Sequence, residues 1–202
     1  FEEERYDALL DLYETGLTIS KLDPLFKGLR DNISPILNAV INLKDRDDSQ
    51  WFENINWDLE GQERLSQIVS ESIGFDFSSG RRDTSTHPFC GGPNPDDVRW
   101  TTRYSKKNPF SSLFGSMHET GHGTYEQGRP RELDFQPAGK ANGLGIHESQ
   151  SRLWENQVGR SREFCTWSLP LWKECFPENM KDRDEDDLWM AVNSVKPGLI
   201  RV

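Results

Sequence analysis

The run His118-Glu119-Thr120-Gly121-His122 constrains this chain more than any other feature of its sequence. On an α-helix, four residues turn the chain by roughly 400° and advance it about 6 Å, so the two imidazoles leave the same face one turn apart. Two rings in that arrangement can close on one Zn²⁺ at about 2.0–2.1 Å per nitrogen. Glu119 lies about 100° further round the helix, where it can reach a metal-bound water better than the metal itself.

This spacing is the H-E-x-x-H pattern that is typical of metallopeptidases. The alternative is an exposed helix that carries two histidines by chance. The positions of the other histidines favour the metal site, because scattered core histidines would not cluster. All four histidines fall within one central stretch, at His87, His118, His122 and His147.

Composition allows a folded domain and excludes two classes of partner. The chain has 202 residues with seven Trp and eleven Phe, which is enough apolar material for one domain with a real core. Its net charge of −10 argues against a nucleic-acid-binding face. No apolar run approaches the roughly 20 residues that cross a bilayer, so a membrane partner is not expected.

The cysteines are few and odd in number: Cys90, Cys165 and Cys175. None forms a C-x-x-C pair, so none is assigned to a metal. An odd count without a dense framework is typical of reduced thiols in a cytosolic protein, which predicts a cytoplasmic location. A Cys165–Cys175 disulfide is the less favoured alternative.

The two ends predict that residues 1–202 form a single partial catalytic domain whose flanks are missing. The chain starts at Phe1 rather than Met and stops in the apolar run 199–202. A natural terminus is usually polar and poorly ordered.

Apolar spacing predicts a mainly helical chain. The strand prediction rests on the β-formers of residues 98–104, inside the stretch 75–109 that is rich in turn residues. The predicted helices cover residues 2–15, 23–43 (with a kink or break at Pro35), 60–74, Pro109 to about Gln127, and about Gly145 through Val158, with a last helix from Leu188 after the acidic stretch 181–187.

The helix that carries the histidines has a clear start and an unusual interior. Asn108 is predicted to cap it, with Pro109 as its first residue. Gly115, Gly121 and Gly123 each cost up to about 1 kcal/mol relative to Ala inside a helix. We therefore expect something to pack close to this backbone, either a neighbouring strand or a substrate.

A catalytic zinc needs a third protein ligand and one open position. Glu126 lies about 12 Å along the helix axis from His118 and cannot fold back. Glu132 and Asp134 lie in a Pro-flanked loop, which holds a ligand less rigidly.

His147 and Glu148 remain, because they begin the next helix. Adjacent helical residues diverge by about 100°, so only one of them is expected to ligate. Geometry favours Glu148, which gives the common His₂Glu set, and leaves His147 as an outer or core histidine. The alternative for Glu148 is a surface ion pair with Arg152 at i+4.

Several short motifs, taken together and in this order, resemble those of the M32 metallocarboxypeptidases, the carboxypeptidase Taq type. The resemblance covers nearly the whole chain, and members of that family are about twice as long. The matching segments are His87-Pro88-Phe89, Asp97-Val98-Arg99-Trp100-Thr101, His118 to His122, His147-Glu148-Ser149-Gln150 and Ile200-Arg201.

The resemblance implies a mainly α-helical, gluzincin-like metallopeptidase fold with a small β-sheet beside the active-site cleft, usually as a homodimer. It implies that His118, His122 and Glu148 bind the metal and that Glu119 is the general base. The implied metal is zinc, with cobalt as a possible substitute. The implied reaction is hydrolysis of the C-terminal peptide bond of a peptide.

A carboxypeptidase must also bind the free C-terminal carboxylate, and a planar guanidinium does this well. The candidates are Arg99, Arg103 and Arg201. The resemblance favours Arg201, while Arg99 is expected to organise the site through Asp97. His87 is a candidate for a hydrogen bond to substrate.

Two other functions stay open at this point. The same metal-binding core serves endopeptidases and aminopeptidases. The chain can also be an inactive fragment or a metal-binding module that assembles with another chain.

Overall fold

The computed structural model describes residues 4–41, 43 and 47–194. It divides the chain into two compact units, Phe1–Arg46 with Asn142–Ile146, and Asp47–Ala141 with His147–Val202. The prediction that residues 1–202 form a single partial catalytic domain stays a prediction.

Two helices make up most of the smaller unit, α1 (Asp7–Tyr13) and α2 (Ile19–Ile41). Between them Gly16 has a φ of 76°, a conformation that costs glycine little. The Asp7 carboxylate accepts a hydrogen bond from the backbone N–H of Ile19 at 2.7 Å, which ties the start of α2 to α1.

Helix α2 confirms the predicted second helix, but Pro35 does not end it. Its side chains include a stripe of large apolar residues, each of which is more than half exposed. The stripe consists of Leu25, Phe26, Leu29, Ile33, Ile36, Leu37, Val40 and Ile41.

The larger unit is mainly α-helical with one small mixed sheet, as the resemblance implied. A π-helical segment, Leu153–Val158, directly follows α5, and 3₁₀ turns cover Asp47–Asn54, Arg131–Leu133 and Pro137–Gly139. Its regular elements are α3 (Leu59–Ile73), β1 (Gly80–Thr84), β2 (Cys90–Asn94), β3 (Asp97–Thr102), α4 (Pro109–Gln127), α5 (Leu144–Arg152, whose first residues belong to the smaller unit), α6 (Arg162–Cys175), α7 (Pro177–Met180) and α8 (Glu185–Val192).

Large aromatic side chains form the core where α3, α4 and α6 meet. Trp57 is fully buried, and its ring lies edge-on to those of Trp172 and Phe176 at 6.0 and 5.1 Å between centroids. Phe110 of α4 contacts the Trp172 ring at 5.1 Å. Such offset and edge-on pairs add to the stabilisation that burial gives, so they fix α4 firmly in the core.

The sheet has the order β1-β3-β2, with β1 parallel and β2 antiparallel to the central strand β3. In this register Gly80 lies opposite Val98 and Cys90 opposite Trp100. Phe75, Val98 and Trp100 form a small second core. A Cβ at Gly123 of α4 would lie 2.7 Å from the Phe75 ring, so this glycine lets the helix lie close to that core.

Helix α4 confirms the predicted element at both ends, Pro109 and Gln127. The Asn108 side chain accepts a hydrogen bond from the backbone N–H of Ser111, as a helix cap does. Strand β3 confirms the predicted strand over residues 98–102, and Arg103 and Tyr104 follow its end.

No helix among the described residues is long and apolar enough to cross a bilayer. All three cysteines are free thiols.

Candidate metal centre

The close packing of α4 against α5 brings the predicted ligands together. Gly121 lies between the two histidines of α4, and a Cβ there would lie 2.6 Å from the carbonyl oxygen of Gln150 and 2.7 Å from the Cα of Ser151. Only a glycine permits this approach without a shift of backbone. The expected close neighbour is therefore present, and at Gly121 it is a helix rather than a strand or a substrate.

The three predicted ligands point at one centre. Glu148 Oε2 lies 3.6 Å from His118 Nε2 and 3.3 Å from His122 Nε2. The ligand atoms of the three side chains all lie within 4.8 Å of one another. Each of the three residues is partly buried.

These distances fit a small divalent ion. Two donor atoms bound to one tetrahedral zinc at about 2.1 Å lie about 3.4 Å apart. The two measured nitrogen-to-oxygen separations bracket that value. The donor set of two imidazoles and one carboxylate is the His₂Glu set of hydrolytic zinc sites, so the residues present fit the metal that the motif implies.

Glu148 faces the two imidazoles and also pairs with Arg152, so the ion pair does not exclude a role as a metal ligand. While its Oε2 faces the imidazoles, its Oε1 accepts a hydrogen bond from Arg152 Nε at 2.9 Å. The Ser151 hydroxyl also donates to Oε2 at 3.1 Å. These contacts fix the carboxylate in the orientation that ligation needs.

Each histidine has a different partner at its other ring nitrogen. His118 Nδ1 lies 2.8 Å from Glu155 Oε2, and Arg152 Nη1 also contacts that oxygen at 3.2 Å. His122 Nδ1 lies 2.5 Å from His147 Nδ1. His147 therefore contacts His122 at the ring nitrogen that does not face Glu148.

Burial and neighbouring charges oppose each other at the two rings. Burial favours the neutral form of His118, but its hydrogen bond with Glu155 and the nearby carboxylates outweigh burial and raise its pKa. Burial, followed by the neighbouring imidazoles of His147 and His118, lowers the pKa of His122 to about 4.

Glu119 is a buried carboxyl group beside this centre, with 5% of its surface exposed. Burial raises its pKa to about 7, and the charges of Glu148 and Glu155 also act in that direction, although His118 opposes them. A carboxylate with a pKa near the working pH both accepts and donates a proton readily.

His118, Glu119 and Glu148 line a cavity of about 510 Å³, which is within the range of small-ligand sites. His87, on the connection between β1 and β2, and Arg103, just after β3, also line it. The small sheet therefore lies beside the cleft, as the resemblance implied.

Arg99, another predicted substrate residue, does not line this cavity. Arg99 holds Asp97 in a bidentate pair, Nε to Oδ1 at 2.8 Å and Nη2 to Oδ2 at 2.7 Å. That is the pairing with Asp97 that the sequence predicted. Arg201 lies outside the described residues.

Sequence reasoning missed two carboxylates that contact the site histidines. Glu155 lies seven residues after Glu148. On an α-helix this spacing returns to nearly the same face, so the sequence did indicate that Glu155 could lie near the site. Glu126 lies four residues after His122, and its Oε1 contacts His147 Nε2 at 2.7 Å. Its predicted distance from His118 along the helix axis excluded it as a metal ligand. That argument does not exclude a hydrogen bond to a residue, such as His147, that itself contacts a proposed ligand.

Comparison with known proteins gives a consistent result. The sequence model of the family described as "Carboxypeptidase Taq (M32) metallopeptidase" matches residues 1–202. Thermostable carboxypeptidase 1 of Thermus thermophilus is 41% identical over 199 residues, which cover 98% of this chain and 39% of that protein. Carboxypeptidase 1 of Bacillus subtilis is 39% identical over 202 residues, which cover 100% of this chain and 40% of that protein.

The fold agrees with these matches. The crystal structure of an M32 carboxypeptidase from Deinococcus radiodurans superposes with a TM-score of 0.89 at 36% identity, covering 96% of this chain and 39% of that one. The chain therefore spans about two fifths of the length of the relatives it matches.

Proposed function

The chain belongs to the carboxypeptidase Taq (M32) family of metallopeptidases, and we propose that its metal centre hydrolyses the C-terminal peptide bond of peptides. The observation that supports this most directly is the convergence of His118 Nε2, His122 Nε2 and Glu148 Oε2 beside the buried Glu119.

We propose that these three side chains hold one divalent ion, zinc by preference, with cobalt as a substitute of similar size. When bound, such an ion supplies Lewis acidity, which lowers the pKa of a water ligand and polarises the scissile carbonyl. When the two imidazoles bind the divalent ion in their neutral form, the single carboxylate cancels only part of the ion's charge. The centre then keeps a net positive charge, which suits that chemistry.

Glu119 is the proposed general base. Its carboxylate takes a proton from the attacking water and then gives it to the nitrogen of the leaving amino acid. Burial raises its pKa above the ordinary 4.5, which supports the second step, in which the carboxyl group gives up its proton. The reaction then needs no covalent intermediate on the protein.

Substrate binding is proposed for His87, Arg99 and Arg201. His87 has the most direct structural support, because it lines the cavity. Arg103 lines the same cavity and offers a guanidinium to a peptide carboxylate. For Arg99, the bidentate pair with Asp97 supports a role in ordering the sheet beside the cleft.

A mass-spectrometric assay of peptide shortening tests the function. A peptide with a free C-terminus should lose one residue at a time, while the same peptide amidated at that end should stay intact. A chelator should stop the reaction and added zinc should restore it. An N-acetylated peptide is the matched control, because blocking the amino end should change nothing.

Other products would identify the other metallopeptidase classes. Internal cleavage of the amidated peptide would identify an endopeptidase, and release of the first residue would identify an aminopeptidase. One equivalent of bound metal without turnover would support a metal-binding module instead. This alternative has a structural basis, because the chain spans only about two fifths of the length of its relatives.

The proposal includes a homodimer, which is taken from the resemblance, and a cytoplasmic setting, which is taken from the cysteine content. Light scattering of the purified chain measures the first, and fractionation of cells that express the natural protein measures the second.

A further inference from the structure

The two histidines of the proposed metal centre are oriented by partners of different chemical character. His118 Nδ1 contacts a carboxylate, Glu155, at 2.8 Å. His122 Nδ1 contacts another imidazole, that of His147, at 2.5 Å. The difference matters because a carboxylate and an imidazole do not constrain a proton in the same way.

A neutral imidazole that binds a metal through Nε2 must carry its proton on Nδ1. An ionised carboxylate can only accept a hydrogen bond, so Glu155 by itself requires that proton on His118 Nδ1. A neutral imidazole has one donor nitrogen and one acceptor nitrogen, so His147 can contact His122 in either of two senses. Only one of them leaves His122 Nε2 able to bind a metal.

The contact at the far side of His147 selects between these senses. His147 Nε2 lies 2.7 Å from Glu126 Oε1. A carboxylate there requires the proton of His147 on Nε2, which leaves its Nδ1 as an acceptor. That acceptor in turn requires the proton of His122 on Nδ1.

Glu126 is held as an ionised acceptor. Its hydrogen bond with His147 lowers its pKa, and the charge of Arg129 acts in the same direction against the effect of burial. Arg129 Nε lies 2.9 Å from Glu126 Oε2, and both side chains are about 15% exposed or less. The carboxylate therefore cannot turn away from His147 easily.

We propose that Glu126, acting through His147, fixes the tautomer in which His122 binds metal. Glu126 and His147 are then positioning residues and not ligands. The inference rests on the proposed metal centre. It also accounts for the third member of the row His118, His122 and Glu126, which share one face of α4 at four-residue spacing.

The tautomers themselves can be measured in the unaltered chain. With four histidines, the ¹⁵N–¹H correlation spectrum of the ring nitrogens is simple, and His87→Gln assigns one ring without touching the others. In the metal-free chain at pH 7.5, we expect His122 to be protonated on Nδ1 and His147 on Nε2. A free histidine in water prefers the Nε2 proton, so an Nε2-protonated His122 would overturn the proposal.

Variants then measure the effect on metal binding. In Glu126→Ala and Glu126→Gln, His122 should become a mixture of tautomers, because the first lacks an acceptor and the second offers a donor as well. Zinc affinity from chelator competition should fall 10–100-fold, the usual effect of losing such an outer partner. Glu71→Gln is the matched control, since this exposed side chain on α3 contacts only Gln67 in the hydrogen bond that the structure gives it.

The outcomes separate this inference from the proposed function. If the unaltered chain binds no zinc, the proposed metal centre fails. If it binds zinc and both Glu126 variants bind within twofold of it, the metal centre stands and the positioning role is wrong. If a variant loses its helical circular dichroism, the spectrum of the unaltered chain decides the question.

Discussion

At the scale of single residues, Glu148 shows how one side chain meets two demands. Its Oε2 faces the two imidazoles while its Oε1 holds the Arg152 guanidinium. An exposed i,i+4 ion pair contributes only about 0.3–0.5 kcal/mol, so stability alone does not explain this arrangement. In the proposed metal centre the pair would orient the carboxylate, because a ligand held by a neighbour loses less freedom when metal binds.

Glu119→Gln tests the general base. The amide has nearly the same shape but cannot take a proton, so kcat should fall at least 100-fold while the metal content stays at one per site. Parallel measurements of peptide turnover and of zinc by elemental analysis check both halves of this prediction. Near-full activity in the variant would remove Glu119 from the role.

The cysteines should react slowly in the native chain. Burial, with a smaller contribution from Glu119 and Glu126, raises the pKa of Cys90 to about 12, and burial raises that of Cys165 to about 11. Three pKa units above the ordinary 9.0 leave about 1,000-fold less of the reactive thiolate.

Iodoacetamide labelling at pH 8, followed by mass spectrometry, measures this directly. All three thiols should label fully in urea, and Cys90 should label at least 100-fold more slowly in the folded chain. Labelling of native Cys90 at the rate of the urea-unfolded chain would contradict the raised pKa of this thiol.

At the scale of helices and strands, local signals decided what could be predicted. The start of helix α4 was predicted because its cap, Asn108, and its first residue, Pro109, are adjacent in the sequence. Strands β1 and β2 were missed. Their sequences, Gly-Arg-Arg-Asp-Thr and Cys-Gly-Gly-Pro-Asn, have the composition of turns, and both become strands only by pairing with β3.

The same reasoning explains the uneven result at the site. The spacing of the ligands on α4 and α5 is local, so it was visible in the sequence. The contacts of Glu126 and Glu155 depend on how closely α5 and the π-helical segment approach α4. That distance is set by a glycine whose neighbour cannot be read from the sequence.

Gly121→Ala should separate α4 from α5. The new methyl would lie 2.6–2.7 Å from backbone atoms of Gln150 and Ser151, and overpacking of this kind costs about 1–3 kcal/mol. Because Glu148 lies on the displaced helix, zinc affinity should fall as well. Urea unfolding followed by tryptophan fluorescence, with zinc titration, measures both effects.

Gly115→Ala is the matched control on the same helix. Its methyl would meet Thr102 and Pro88 at ordinary distances of 3.6 and 3.8 Å. Here the higher helix propensity of alanine should raise the free energy of unfolding, by up to about 1 kcal/mol. Equal destabilisation by the two substitutions would show that close approach at Gly121 is not what places α5.

At the scale of the whole molecule, the proposed metal joins elements that are far apart in sequence. His122 and Glu148 are separated by the stretch that holds two 3₁₀ turns, yet their ligand atoms are 3.3 Å apart. An ion that binds only the folded arrangement stabilises it by mass action. All seven tryptophans lie in the range 47–202, so their fluorescence reports on the larger unit alone.

Zinc should therefore raise the thermal midpoint of the larger unit. At a free concentration 100 times the Kd, the expected stabilisation is about 2.7 kcal/mol, and in a chain of this size each kcal/mol shifts the midpoint by about 2–4 °C. A shift of about 5–10 °C in tryptophan fluorescence melting is expected, and a chelator should reverse it.

His122→Ala provides the control for this melting experiment, because it removes one proposed ligand at a partly buried position and leaves the aromatic core intact. The variant should melt close to the metal-free parent and should not respond to zinc. A variant that gained the same shift as the parent would place the stabilising ion elsewhere, and the assignment of His118, His122 and Glu148 as the metal centre would then be wrong.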